Sequence, residues 1–171
     1  MFSIDYDYIN KEAEQAYQSN ADKDPANYDG LKNACIDLRA MSVIKKSGLE
    51  PFPELIKLAP GAVLKIGSGI KLRAWYIDEM HKAGRVEAHF EVHARSGLGS
   101  DLLVLANNTG IIDHIWSNEI IVVLHNNSRR YFEIANGDRI AQAKPFCVWS
   151  KTQRNAIEDY ERGGFGSSGA E

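Results

Sequence analysis

Residues 85–97 read RVEAHFEVHARSG, and this stretch decides the fold. Val86, Ala88, Phe90, Val92 and Ala94 alternate with Glu87, His89, Glu91 and His93. A period of two puts the first set on one face of an extended strand and the second on the other. Upstream, AVLKIGSGIKLRAWYI (62–77) reads as strand, glycine-containing turn or bulge, strand. Downstream, LLVLANN (102–108), IIDHIW (111–116), NEIIVVLHN (118–126), RRYFEIANGD (129–138) and RIAQAKPFCVW (139–149) are short apolar runs broken by polar turns. That spacing predicts an all-β protein, a sandwich or a barrel.

The flanks read differently. NKEAEQAYQS (10–19) predicts a short helix with Asn10 as its cap, ended by Pro25 and Gly30. GLEPFPEL (48–55) predicts a loop with a helical turn, and LHNNSRRYFEI (124–134) a hairpin on an Asn-Asn-Ser turn. The tail SKTQRNAIEDYERGGFGSSGAE (150–171) loses the strand pattern and reads as a flexible arm. The expected division is an N-terminal extension (1–30), a β-barrel (31–150) and a C-terminal arm with a glycine-rich flap (151–171).

The chain has 171 residues, 44% apolar and 25% charged, which suits one soluble domain. Its net charge of −3 argues against nucleic-acid binding through bulk charge. Anions must be met by a few placed arginines. No stretch approaches the roughly 20 apolar residues of a membrane span, and MFSIDYDYIN (1–10) lacks the basic and apolar regions of a leader. Cys35 and Cys147 show no Cys-x-x-Cys spacing, as expected of a reduced, cytoplasmic protein.

Three clusters carry chemistry. In HARSGLGSD (93–101), Arg95 offers a planar fork of donors, Ser96 a hydroxyl and Gly97 an unobstructed backbone N–H, unless the segment is a plain turn. In NNTGIIDHIWSNE (107–119), Asp113 follows two isoleucines expected to be buried. A carboxylate leaving the sheet there can orient a water as general base, or simply cap a turn. Trp116 falls near an expected hairpin tip or packs in the core. In NGDRIAQ (136–142), Asn136-Gly137 makes a tight turn and Gln142 ends near the edge that carries Arg95; an ordinary hairpin is the alternative.

Taken in order with RGGFGSSG (162–169), these segments resemble the five motifs of the trimeric dUTP pyrophosphatases, within the dUTPase/dCTP deaminase superfamily. NACIDLRA (33–40) resembles the first motif, ARSGLG (94–99) the second, TGIIDHIWSNE (109–119) the third, NGDRIAQ the fourth and RGGFGSSG the fifth. LAPGAVLKIGSGIKL (58–72) resembles the family's segment between the first two. The likeness covers residues 31–169.

The resemblance implies a distorted jelly-roll β-barrel that assembles as a homotrimer, each site borrowing a neighbour's C-terminal arm. It implies hydrolysis of dUTP to dUMP and pyrophosphate, which keeps uracil out of DNA and supplies dUMP. Mg2+ is expected on the triphosphate, without a direct protein ligand. By the same resemblance Asp113 holds the water that attacks the α-phosphate, while Arg95, Ser96, Gly97 and Gln142 hold the phosphates. Asn107, Gly110, Ile111 and Ile112 line the uracil pocket, and Trp116 faces the sugar. From the arm, Phe165 lies over uracil, Arg162 and Ser167 meet the phosphates, and Gly166 lets the backbone approach. Asp37 has a supporting electrostatic role.

Departures from the pattern are Cys35 for a glycine, Trp116 for a tyrosine, and Asn118 where a glycine would take a positive φ. Arg162 also stands two residues nearer Phe165 than usual, with Arg154 as a possible substitute. Two other readings are open. A dCTP deaminase needs a glutamate in the strand after the third motif, where Leu124 and His125 stand. A regulatory protein of this fold would press on a partner through the N-terminal helix and SGLEPFPELIK (47–57).

Overall fold

The computed structural model describes residues 1–18, 25–30, 32–78 and 84–147. The first half runs β1 (Phe2–Tyr8), α1 (Lys11–Gln18), β2 (Ile36–Arg39), β3 (Ser42–Lys45), β4 (Gly48–Pro51), β5 (Leu55–Leu58), β6 (Val63–Gly67) and β7 (Ile70–Asp78). The second half runs β8 (Gly84–Ala94), α2 (Ser96–Ser100), β9 (Leu103–Leu105), β10 (Gly110–Ile112), β11 (Ile121–Asn126), β12 (Phe132–Ala135) and β13 (Arg139–Phe146). One sheet has the order β1-β7-β8-β13-β2, with β10 also on β8. The other has the order β4-β3-β6-β11-β9, and β12 pairs β5 in a ribbon. The curled antiparallel sheets form the expected distorted jelly roll.

Strand β8 organises the first sheet. Ala88, Phe90 and Val92 are buried, as their alternation requires, while Ala94 at the strand end is exposed. Residues 84–88 pair with β7; beyond them β10 takes the same side at Phe90–Val92, and β13 pairs His89–Ala94 on the other. The 62–77 stretch breaks where expected, at Ser68-Gly69, with Gly69 at φ +73°. The break does more than turn the chain. β6 lies in the second sheet and β7 in the first, so the chain changes sheets there. The core between the sheets holds Leu38, Ile66, Ile70, Phe90, Leu103, Ile120, Leu124 and Ile140.

The flanks bring both agreement and correction. Asn10 caps α1 as expected, its Oδ1 accepting from Ala13 N–H at 2.8 Å. The helix docks through Tyr17, the largest fully buried side chain. The Tyr17 hydroxyl donates to Ser68 O at 2.9 Å and accepts from Arg39 N–H at 3.2 Å. Burial pushes the phenol pKa up, so the ring stays neutral. Residues 2–8, part of the expected N-terminal extension, form an edge strand paired with β7 from Phe2↔Tyr76 to Tyr8↔Ile70.

The hairpin expected at 124–134 does not form. β11 pairs β6 and β9, whereas β12 pairs β5. Buried Asn126 redirects the chain: its amide donates to Leu58 O at 2.9 Å and Arg130 O at 2.8 Å. Its oxygen accepts from Ser128 N–H and Oγ, so every polar atom of the amide is used. The helical turn expected in 48–55 is also absent. β4 ends at Pro51 on a sheet edge, where a missing N–H is tolerated, and Phe52 is buried behind it.

Candidate functional site

Strand β2 is short and buried on both faces, and Asp37 in its middle is only 2% exposed. A buried carboxylate needs partners. Register supplies them: Gln142 on β13 lies opposite Asp37 on one side and His93 on the other. Gln142 Nε2 donates to Asp37 Oδ1 at 3.1 Å, and Arg139 NH1 donates to Asp37 Oδ2 at 3.2 Å. Arg95, one residue past β8, brings its Nε to 3.4 Å from Asp37 Oδ1, an ion pair without hydrogen-bond alignment. Its NH1 donates to Arg139 O at 3.1 Å.

One buried carboxylate therefore orients two guanidiniums and an amide. Asp37, Arg95 and Arg139 together carry one net positive charge. Beside it lies a pocket of about 270 Å³ lined by Arg95, Leu98, Glu133, Asp138, Arg139 and Ile140. Ser96 and Gly97 open the five-residue helix α2 at its rim, both exposed, and a Cβ on Gly97 would meet nothing within 4 Å. The expected nearness of Gln142 and Arg95 is thus realised through a shared carboxylate. Arg139 lies within NGDRIAQ, two residues after Gly137, and takes its role only when β13 is set beside β2. Arg39 buttresses the same turn, its NH1 donating to Gly137 O at 2.7 Å.

The other half of the expected site stands elsewhere. Gly110 lies opposite Val92, and a Cβ there would approach Val92 Cβ to 3.2 Å and Asn107 Nδ2 to 3.4 Å. Ile112 lies opposite Phe90. The expectation of two buried isoleucines is corrected: Ile111 is 55% exposed and Ile112 half-buried, because β10 is a three-residue edge strand open to solvent on one face. Asp113 and Asn107 are exposed. Continued one residue past Ile112↔Phe90, the register sets Asp113 near His89, six positions along β8 from Arg95, or roughly 20 Å at about 3.3 Å per residue. One protomer does not bring Asp113 to the Arg95 cluster.

Residues 113–120 form no hairpin tip, since β10 and β11 belong to different sheets. Trp116 is not core: it is 43% exposed, its indole N–H donates to Glu119 O at 3.2 Å, and its ring borders a groove with Tyr6, Asp7, Leu72 and Arg73. Asn118 does not take a positive φ; among described non-glycine residues only Leu102 and Asn108 do. Glu119 anchors the loop's end instead, accepting from Ser42 Oγ at 3.3 Å and from Gly69 N–H. Burial raises the Glu119 pKa. Cys35 is half-buried. Arg154, Arg162, Phe165, Gly166 and Ser167 lie outside the described residues.

Two curled antiparallel sheets, with a strand-end pocket lined by Arg95 and Arg139 beside Glu133 and Asp138, define a protein of the jelly-roll β-barrel class. The sequence profile of the family described as dUTPase matches residues 76–169, more than half the chain. The deoxyuridine 5'-triphosphate nucleotidohydrolase of Desulfitobacterium hafniense (strain DSM 10664 / DCB-2) is 36% identical over 119 residues, 67% of this chain and 73% of that one. The protein of the same name from Histophilus somni (strain 2336) is 31% identical over 148 residues, 83% of this chain and 85% of that one. A solved structure titled EIAV dUTPase native superposes with a TM-score of 0.60 at 16% identity, over 92% of this chain and 99% of that one, a likeness of fold. The chain belongs to the dUTPase family.

Proposed function

We propose that the chain hydrolyses dUTP to dUMP and pyrophosphate, with the Asp37-centred cluster as its phosphate grip. The carrying observation is the pair of guanidiniums and the amide fixed on one buried carboxylate beside an open pocket. Family membership supplies the substrate. Arg95, Ser96, Gly97 and Gln142 hold the phosphate chain. Asp37 takes no part in proton transfer: its oxygens are engaged by Arg95, Arg139 and Gln142. Asp113, exposed and outside that cluster, orients the water that attacks the α-phosphate. Asn107, Gly110, Ile111 and Ile112 receive the uracil, and Trp116 offers a flat face to the sugar. Arg162, Phe165, Gly166 and Ser167 close the site from the arm.

The roughly 20 Å between Asp113 and Arg95 supports a site shared between protomers of a homotrimer. Exposed apolar groups on the Asp113 side, Ile111 and Ile115, support the same reading. Among the described residues no three His, Cys, Asp or Glu side chains group to hold a metal. An arginine cluster suits phosphates that arrive with their own cation, and Mg2+ on the triphosphate would neutralise charge there. Cys35 and Cys147, in no disulfide, suit a cytoplasmic enzyme of the nucleotide pool.

The test is pyrophosphate release from dUTP, UTP, dTTP and dCTP, with and without Mg2+. Turnover confined to dUTP and requiring Mg2+ is expected; ammonia released from dCTP would overturn the assignment. Asp113→Asn should lower kcat by about 10²–10⁴-fold with KM little changed. Loss of folding in that variant would make Asp113 a structural residue.

A further inference from the structure

The loop that carries Asp113 is held by a residue to which the motif likeness gives no role. Among residues 113–118 only His114 is not exposed, its side chain being 12% accessible. Its Nδ1 lies 2.9 Å from Ala74 O, and because a carbonyl only accepts, Nδ1 carries the proton. Its Nε2 lies 4.0 Å from Glu87 Oε1. Its ring meets the Trp75 indole edge-on, with centroids 4.2 Å apart. Trp75 is itself fixed from the N-terminal strand: the indole Nε1 donates to Asp5 Oδ2 at 2.7 Å.

Ala74 marks the place where β7 leaves β8, at the pair Ala74↔Ala88, and β10 takes over two residues further on. The loop after β10 folds back across this junction. On one side it is tied through Ile112↔Phe90, and at its far end through Glu119 and the bond from Ile120 N–H to Ile70 O. Between these ties, His114 is the one half-buried side chain of residues 113–118, and it packs on the outer face of the first sheet against Trp75. Its backbone is continuous with that of Asp113, so fixing the imidazole fixes the neighbouring Cα.

We infer that His114 is the positioning residue for Asp113, and that β1 acts on the reaction through the relay Asp5, Trp75, His114. The inference rests on the proposed role of Asp113. A water-orienting carboxylate must hold its place: a displacement of about 1 Å lowers rate by up to about 100-fold without touching substrate binding elsewhere. The N-terminal segment, which stands outside the five motifs, thereby becomes part of the catalytic support.

The experiment compares steady-state kinetics of full-length His114→Leu, His114→Asn and Asp5→Ala, with Asp113→Asn as reference. His114→Leu should lower kcat by about 10–100-fold while KM for dUTP changes by less than about threefold. His114→Asn, whose amide nitrogen takes the place of Nδ1, should restore most of the loss. Asp5→Ala should lower kcat by about two- to fivefold, again at constant KM. Unchanged kcat in His114→Leu, an equal loss in the Leu and Asn variants, or a loss confined to KM would each overturn the inference. Should His114→Leu not fold, the exposed Asp5→Ala change decides, and unchanged kcat there overturns it. An active Asp113→Asn enzyme would overturn the proposed role of Asp113 and the inference together; an inactive one beside a fully active His114→Leu overturns the inference alone.

Discussion

Asp37→Asn removes one charge and almost no volume, and its effect follows from the cluster. Asp37 is 2% exposed and is shared by Arg139 at 3.2 Å, Arg95 at 3.4 Å and Gln142 at 3.1 Å. Removing one partner of a buried ion pair costs about 3–5 kcal/mol. The two arginine side chains keep 25% and 39% exposure, so water compensates part of the loss. We expect about 2–3 kcal/mol. At about 2–4 °C per kcal/mol for a chain of this size, Tm should fall by about 4–12 °C. The Asn amide must also point donors at a guanidinium, so one of the two arginines loses its fixed orientation. kcat/KM for dUTP should drop about 10–100-fold, mostly through KM, because the phosphate grip acts in ground state and transition state alike. Thermal unfolding at one fixed protein concentration and pyrophosphate release read both effects; fixed concentration matters because association shifts Tm. A variant with Tm within about 1 °C of the parent and unchanged kcat/KM would refute the reasoning.

Three other changes probe the frame. Tyr17→Phe strands the Arg39 N–H and Ser68 carbonyl and should destabilise by about 1–3 kcal/mol in chemical denaturation. Because burial raises the Tyr17 pKa, its neutral form contributes stability that is complete below the free phenol value of about 10 and is lost above it, so the gap between parent and Tyr17→Phe should narrow above about pH 10. Glu119 has a raised pKa for the same reason, so the stability from its protonated form is lost as pH rises through that value. Glu119→Gln should therefore gain on the parent between pH 4 and pH 7 in thermal melts, and an equal Tm difference at both would refute this. Gly69→Ala places a Cβ 2.7 Å from Met41 Cγ and 2.8 Å from Ala13 Cβ at φ +73°. It should cost about 1–2 kcal/mol for the backbone and about 1–3 more for repacking, whereas Gly61→Ala, also at φ +73° but with nothing within 4 Å, should show only the backbone part.

Local alternation made β8 legible in the sequence, because one face of that strand is buried and the other is wet. Polar spacing also located the breaks at Ser68-Gly69 and Asn136-Gly137. Strand partners were not legible. Asn126 reads as a turn residue, yet its buried amide ties the chain sideways to Leu58, and no local pattern encodes a bond 68 residues distant. Residues 2–8 were missed because FSIDYDY interleaves aspartates with aromatics on an edge strand, where neither face is deeply buried. In the site, Gln142 is legible from the turn and strand it ends and Asp37 from motif likeness, while Arg139 and His114 are not. Their roles depend on a register partner in one case and a strand junction in the other, and both arise only in three dimensions.

The distance along the chain between Asp37 and its partners has a consequence during synthesis. Arg139 and Gln142 follow Asp37 by 102 and 105 residues. At about 5–20 residues per second, a ribosome takes roughly 5–20 s to supply them. Through that interval Arg95 is the one partner of Asp37 already synthesised, and the carboxylate lacks Arg139 and Gln142, so the first sheet closes only once its last strand has emerged. A message cut short before β13 would yield a product with neither a sealed barrel nor a grip for phosphate, open to proteolysis and unable to sequester nucleotide.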